Sequence, residues 1–222
     1  MSKLGKSNWK QSYDPLVTTM PLEKRIELAK ELIEEMFLNQ RKSWGKWKNI
    51  SGQSDQVDSG YLAQHLISLI SGIAGQGLRG KGLDLSDGSE IKSACCVGGI
   101  DIPRWNFNFT KDEHMSDLLK VPRIYMVLFD ENSKEKLRVR IWIIDPSNDK
   151  AFSQVFDNWR KSNRKSRNFQ LHPPVNKDSN ITTNRSGNLE LPLNFQFEEN
   201  SLGKMEIVLM NDKILSASLI TR

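Results

Sequence analysis

Apolar positions along the chain follow two kinds of pattern. The first is helical. Leu22, Ile26, Ala29, Ile33 and Phe37 recur at three- and four-residue steps, and Leu28, Leu32 and Met36 widen the stripe. That period predicts an amphipathic helix from Pro21 to about Gln40. Pro21 suits its first position, where a missing N–H costs nothing. A second stripe, Tyr61, Leu62, Leu66, Leu69, Ile70 and Ile73, predicts a helix capped by Asp58 or Ser59. His65 falls on that face and reads as a core histidine. The glycines at 72, 75, 77, 80 and 82 end this helix. Phe152, Val155, Phe156 and Trp159 predict a third helix, capped by Ser147 or Asn148.

The second pattern is the unbroken apolar run. Arg123–Phe129 and Leu137–Ile144 predict strands buried on both faces, joined by the turn Asp130–Lys136. Short strands are expected near Leu189–Phe197 and Met205–Ile220, and a short helix within 110–120. The remaining segments are an irregular N-terminal arm (about 1–20), a basic Gly- and Trp-containing loop (Arg41–Ser54), and a polar loop (about 162–188). The order helix, helix, strands, helix, strands predicts one α/β domain over 1–222, a mixed sheet flanked by helices.

Composition excludes some classes. The chain has 222 residues, 37% of them hydrophobic, with six Trp and nine Phe. That supplies a core and excludes wholesale disorder. No apolar run approaches the roughly 20 residues of a membrane-spanning helix, and the first residues show no secretory signal. Cys95 and Cys96 are adjacent, which fits a reducing, cytoplasmic setting. No His/Cys spacing resembles a zinc site.

Charge matters through its distribution. The net charge is +5. Between Glu35 and Asp55 lie Arg41, Lys42, Lys46 and Lys48 with no acid. Between Asp157 and Asp178 lie Arg160, Lys161, Arg164, Lys165, Arg167 and Lys177, again with no acid. Such tracts suit DNA, and equally a solvated face.

The segment Gly82–Ala94 carries the candidate chemistry. Asp87-Gly88 is a turn signal. With Gly88 left-handed in a three-residue hairpin loop, Leu85 pairs with Ser89 and Asp84 with Glu90. Lys92, two residues on, shares Glu90's face. Two carboxylates and an ammonium then cluster on one side. Paired carboxylates bind a hard divalent cation, which polarises a phosphoryl oxygen and acidifies a bound water. The lysine can orient or deprotonate that water. A solvated Glu–Lys pair is the plainer alternative.

The trio resembles the PD-(D/E)XK nuclease superfamily, with Asp84 as first acid, Glu90 as second and Lys92 as the lysine. Leu83 stands where the signature has Pro, the spacer between acids is short, and Asp87 rivals Asp84. Some members use an acid or Gln on the preceding helix, where Gln64 is the nearest candidate. The wider stretch Gly80–Ala94, with Gly99–Asn106, is similar to type II restriction endonucleases grouped with the MamI enzyme. The resemblance implies a restriction-endonuclease-like core with Mg²⁺ held by Asp84, Glu90 and the Ile91 main-chain carbonyl. It also implies a homodimer cutting double-stranded DNA at a palindromic or interrupted palindromic site that a cognate methyltransferase would modify. DNA-contact candidates are Arg79, Lys81, Ser93, Arg104, Asn106, Asn108, Arg160, Lys161, Arg164, Lys165, His172, Asn176 and Lys177. A structure-selective repair or junction nuclease and a non-catalytic DNA-binding module are the rival readings.

Overall fold

A computed structural model describes residues 16–55, 57–77, 83–97, 103–109, 117–131, 137–162, 168–171, 173, 193–199 and 205–209. Helix α1 (Leu22–Ile33) passes through a π-helical stretch (Glu34–Asn39) into α2 (Gln40–Ser51). Arg41–Ser51 is thus helical, which corrects the basic loop expected there. No proline interrupts the segment, and Gly45 alone costs about 1 kcal/mol. The helix stops at Gly52, whose N–H bonds the Lys48 carbonyl at 2.8 Å.

Asp58 caps α3 (Ser59–Ser71), accepting from the Gly60 N–H at 2.8 Å. The buried face is Leu62, Ala63, Leu66, Ile67 and Ile70. Tyr61 and His65 are exposed, so the expected core histidine lies outside the core. The periodicity left the stripe's centre ambiguous, and packing on α1 selects the arc one residue further round. Gly72 closes α3 with φ of 73°. There the buried Arg25 of α1 donates to the Leu69 and Ile70 carbonyls at 3.0 and 2.8 Å.

The strands are β1 (Glu90–Cys95), β2 (Trp105–Asn108), β3 (Ile124–Glu131), β4 (Leu137–Ile144), β5 (Asn168–Leu171), β6 (Leu193–Glu199) and β7 (Met205–Leu209). Among the described residues, one sheet runs β1-β3-β4-β6-β7. β1 and β3 are parallel, with Glu90 opposite Ile124, and the later pairs are antiparallel. β2 and β5 form a separate antiparallel ribbon. The polar segment 162–188 therefore contains a strand. Helix α4 (Lys150–Ser162) is capped by Asp149, whose carboxylate accepts from the Phe152 N–H at 2.8 Å. The expected caps, Ser147 and Asn148, instead bond Asp145 in the turn before it.

Side-chain alternation along the strands builds two cores. Ile91, Tyr125, Val127, Phe129, Val139 and Ile141 pack on α1 and α3. Ala94, Met126, Leu128, Trp142 and Ile144 pack on Trp105, Phe107, Phe169, Phe152 and Phe156. Trp105 is fully buried, and its Nε1–H bonds the Val127 carbonyl at 2.8 Å. At the far end of the sheet, cross-strand register sets Arg138 opposite Asp130, and its guanidinium forks onto that buried carboxylate at 2.9 and 2.8 Å.

Candidate active site

The loop before β1 builds the site. Gly88 is left-handed, with φ of 88°. Its N–H bonds the Leu85 carbonyl at 3.0 Å, and the Leu85 N–H bonds the Ser89 carbonyl at 3.1 Å. This is the three-residue loop expected from Asp87-Gly88. The hairpin goes no further, which corrects the Asp84–Glu90 pairing expected there. Leu85 bridges to Gly75, and the Gln76 N–H bonds the Asp84 carbonyl at 3.1 Å. Asp84 therefore reaches β1 through its side chain rather than through a ladder partner.

Among the described residues, β1 is an edge strand. The Glu90 N–H points to β3, bonding Arg123 at 2.9 Å, so by alternation the Ile91 N–H faces the open edge. Asp84 Oδ2 accepts from it at 2.7 Å. Gln64 Nε2, from α3, donates to Asp84 Oδ1 at 2.6 Å. Each carboxylate oxygen thus accepts one of these bonds and has further acceptor capacity.

Glu90 and Lys92 share the other face of β1, and Lys92 Nζ is ion-paired to Glu90 Oε1. Their side chains keep 16% and 24% exposure, sheltered yet reachable by solvent. The ammonium also stands 5.5 Å from the centre of the Phe107 ring of β2. Burial pushes the Asp84 carboxyl above its ordinary value, while the Ile91 amide, the Lys92 charge and Gln64 pull it back. Burial likewise raises Glu90; the Lys92 charge opposes this, and the Asp84 charge adds to it.

Asp87 is engaged locally. Its oxygens accept from the Ser89 N–H at 2.9 Å and the Ser89 Oγ–H at 3.0 Å. Of the two rival acids, Asp84 accepts from the Ile91 amide of β1. Ser93 lies on the α3 side of β1, where its hydroxyl shares a 3.1 Å hydrogen bond with Ser59. Arg104 is half-buried just before β2, and Asn106 and Asn108 are exposed on it. Arg160 and Lys161 are exposed in the last turn of α4. Arg79, Lys81, Arg164, Lys165, His172, Asn176 and Lys177 lie outside the described residues.

Phe107 is absent from the sequence-derived candidates. Its signal was the alternation Trp105-Asn106-Phe107-Asn108, a strand pattern only four residues long. The oxygen donors suit a hard divalent cation. Among the described residues, no three His, Cys, Asp or Glu side chains converge on a single metal position.

A mixed sheet backed by helices, with two carboxylates and a lysine gathered at its parallel edge, has the make-up of a restriction-endonuclease-like core. Comparison with known proteins carries this further, and the chain belongs to the MamI restriction endonuclease family, whose model matches residues 46–210. It is 38% identical over 192 residues to the type II restriction enzyme MamI of Microbacterium ammoniaphilum. The match covers 79% of this chain and 62% of that protein, so the chain spans less than two thirds of its relative's length. No solved structure matches the chain.

Proposed function

We propose that the chain is a type II restriction endonuclease of the PD-(D/E)XK kind, cutting both strands of DNA at a palindromic or interrupted palindromic site. The observation that carries this is the convergence of Asp84, Glu90 and Lys92 on the edge of β1 in a chain of this family. Simple DNA binding has no use for two sheltered carboxylates, which repel phosphate unless a cation neutralises them.

Asp84, Glu90 and the Ile91 main-chain carbonyl would hold Mg²⁺. When bound, the ion supplies Lewis-acid polarisation of the phosphoryl oxygen and a more acidic water. The protein supplies the rest. Gln64 and the Ile91 amide fix the Asp84 carboxylate against β1. Lys92 offsets charge on the attacked phosphate and orients the water for in-line attack. Phe107 limits the positions its ammonium can take.

Double-stranded DNA is the substrate, contacted by the loop and ribbon residues named above. Two copies matching a two-fold site would form an isologous homodimer. A cognate methyltransferase would act on the same sequence without binding this chain, and both would work in the cytoplasm. Among the described residues, no helix is long and apolar enough to cross a membrane.

The test is Lys92→Ala, read by cleavage and by gel shift on the same DNA. Cleavage should fall by roughly 10²- to 10⁴-fold while binding is largely kept. Full cleavage by this variant would refute the assignment.

A further inference from the structure

The β2–β5 ribbon has a face that neither the core nor the catalytic cluster uses. The register sets Asn106 opposite Gln170 and Asn108 opposite Asn168. Directly opposed residues point to the same side of a ribbon. The other side is apolar: Trp105, Phe107, Phe169 and Leu171 are buried, and the Phe107 and Phe169 rings lie 5.5 Å apart. Asn106, Asn108 and Asn168 are exposed and Gln170 is half-buried. All four outward positions are therefore carboxamides, with no carboxylate among them.

Asn is depleted in strands, because its short polar side chain packs poorly on a pleated surface. Three Asn and a Gln filling one face run against local propensity. Such conflicts between sequence and structure are typical of functional surfaces.

We infer that this ribbon enters the major groove and reads adenine through Asn106, Asn108, Asn168 and Gln170. The inference rests on the proposed DNA-cleaving function. A carboxamide presents a donor and an acceptor side by side, which matches the N6 amino group and N7 of adenine. The major groove is about 12 Å wide and admits a two-stranded ribbon. Four residues of strand span roughly 10 Å, or about three base pairs. The ribbon is also tied to the site of cutting, since Phe107 sits between the two asparagines and touches Lys92 from the opposite face.

The test selects bound duplexes from a randomised DNA pool, with Ca²⁺ in place of Mg²⁺, and sequences them. The wild type should enrich adenine at fixed positions. Asn106→Ala, Asn108→Ala and Gln170→Ala should each lose that preference at one position by roughly 5- to 150-fold. The other positions should stay selected. In the wild type, 7-deazaadenine at a selected position removes the N7 acceptor and should weaken binding without any change to the protein. The matching alanine variant should show no such penalty. The same motif from every variant, a uniform loss for all sequences, or no adenine preference in the wild type would overturn the inference. Cleavage with Mg²⁺ is scored separately on the wild type. Its absence would strike the nuclease function while the selected motif still reports on the ribbon.

Discussion

Asp84 and Glu90 are held largely out of water, and burial raises the proton affinity of both above the ordinary carboxylate value. The folded state therefore binds protons more tightly here than the unfolded chain does. Below the unfolded pKa, about 4, both states are protonated and no cost arises. As pH rises through the folded pKa values, stability is lost and stays lost at neutral pH. Glu90→Gln should thus raise the melting temperature at pH 7 in metal-free buffer by a few degrees. The gain should vanish near pH 4. Thermal unfolding at the two pH values checks this, and a lower melting temperature at pH 7 would contradict the burial account. At this scale much was legible. Asp87-Gly88 announced the loop, and Glu90-x-Lys92 announced a shared face. The engagement of Gln64 with Asp84 is a contact between residues 20 apart, which spacing alone does not encode.

The joint between α1 and α3 is built from an unusual pair of elements. Arg25 is buried at the end of α3 and bonds two of its terminal carbonyls, groups that have no partner within the helix. Gly72 is left-handed there, and a Cβ on it would lie 2.7 Å from Arg25 Nη1. Gly72→Ala should destabilise the protein by about 2.5–5 kcal/mol, summing the left-handed cost and the displaced charged hydrogen bonding. Denaturant unfolding measures it, and a change under about 0.5 kcal/mol would mean that the joint relaxes freely. The C-terminal turn of α4 invites a different experiment. Arg160 and Lys161 are exposed in the last turn of α4, three and four residues past Asp157. If they meet phosphates, reversing both to Glu should weaken binding to every sequence and flatten the salt slope by about 2. An unchanged slope would place that turn away from DNA. Helix and strand periods exposed α1, α3, β3, β4 and α4, whose apolar runs are long. α2 was hidden because its polar composition and Gly45 resemble a loop, and none of its residues is buried. β2 and β5 were hidden because four residues carry too short a period to separate from irregular chain.

At the scale of the whole molecule, the sheet separates two cores, and among the described residues no strand pairs with its parallel edge. Asp84 arrives at that edge from the preceding loop, Gln64 from α3, and Phe107 from the ribbon on the other face. The α/β class and mixed sheet followed from element order. The parallel pairing of β1 with β3 did not, because hydrophobic runs carry no direction. Neither did the ribbon's place beside Lys92, which depends on pairing between residues 60 to 66 positions apart. Under the proposed function, that convergence is what would serve phosphodiester cleavage. The direct measurement is to incubate the purified chain with long double-stranded DNA of known sequence, once with Mg²⁺ and once with EDTA. Discrete fragments with Mg²⁺ alone, their ends mapping to one two-fold site, are the predicted result. DNA left intact in both, or degraded to a smear, would contradict the assignment of this chain as a sequence-specific endonuclease.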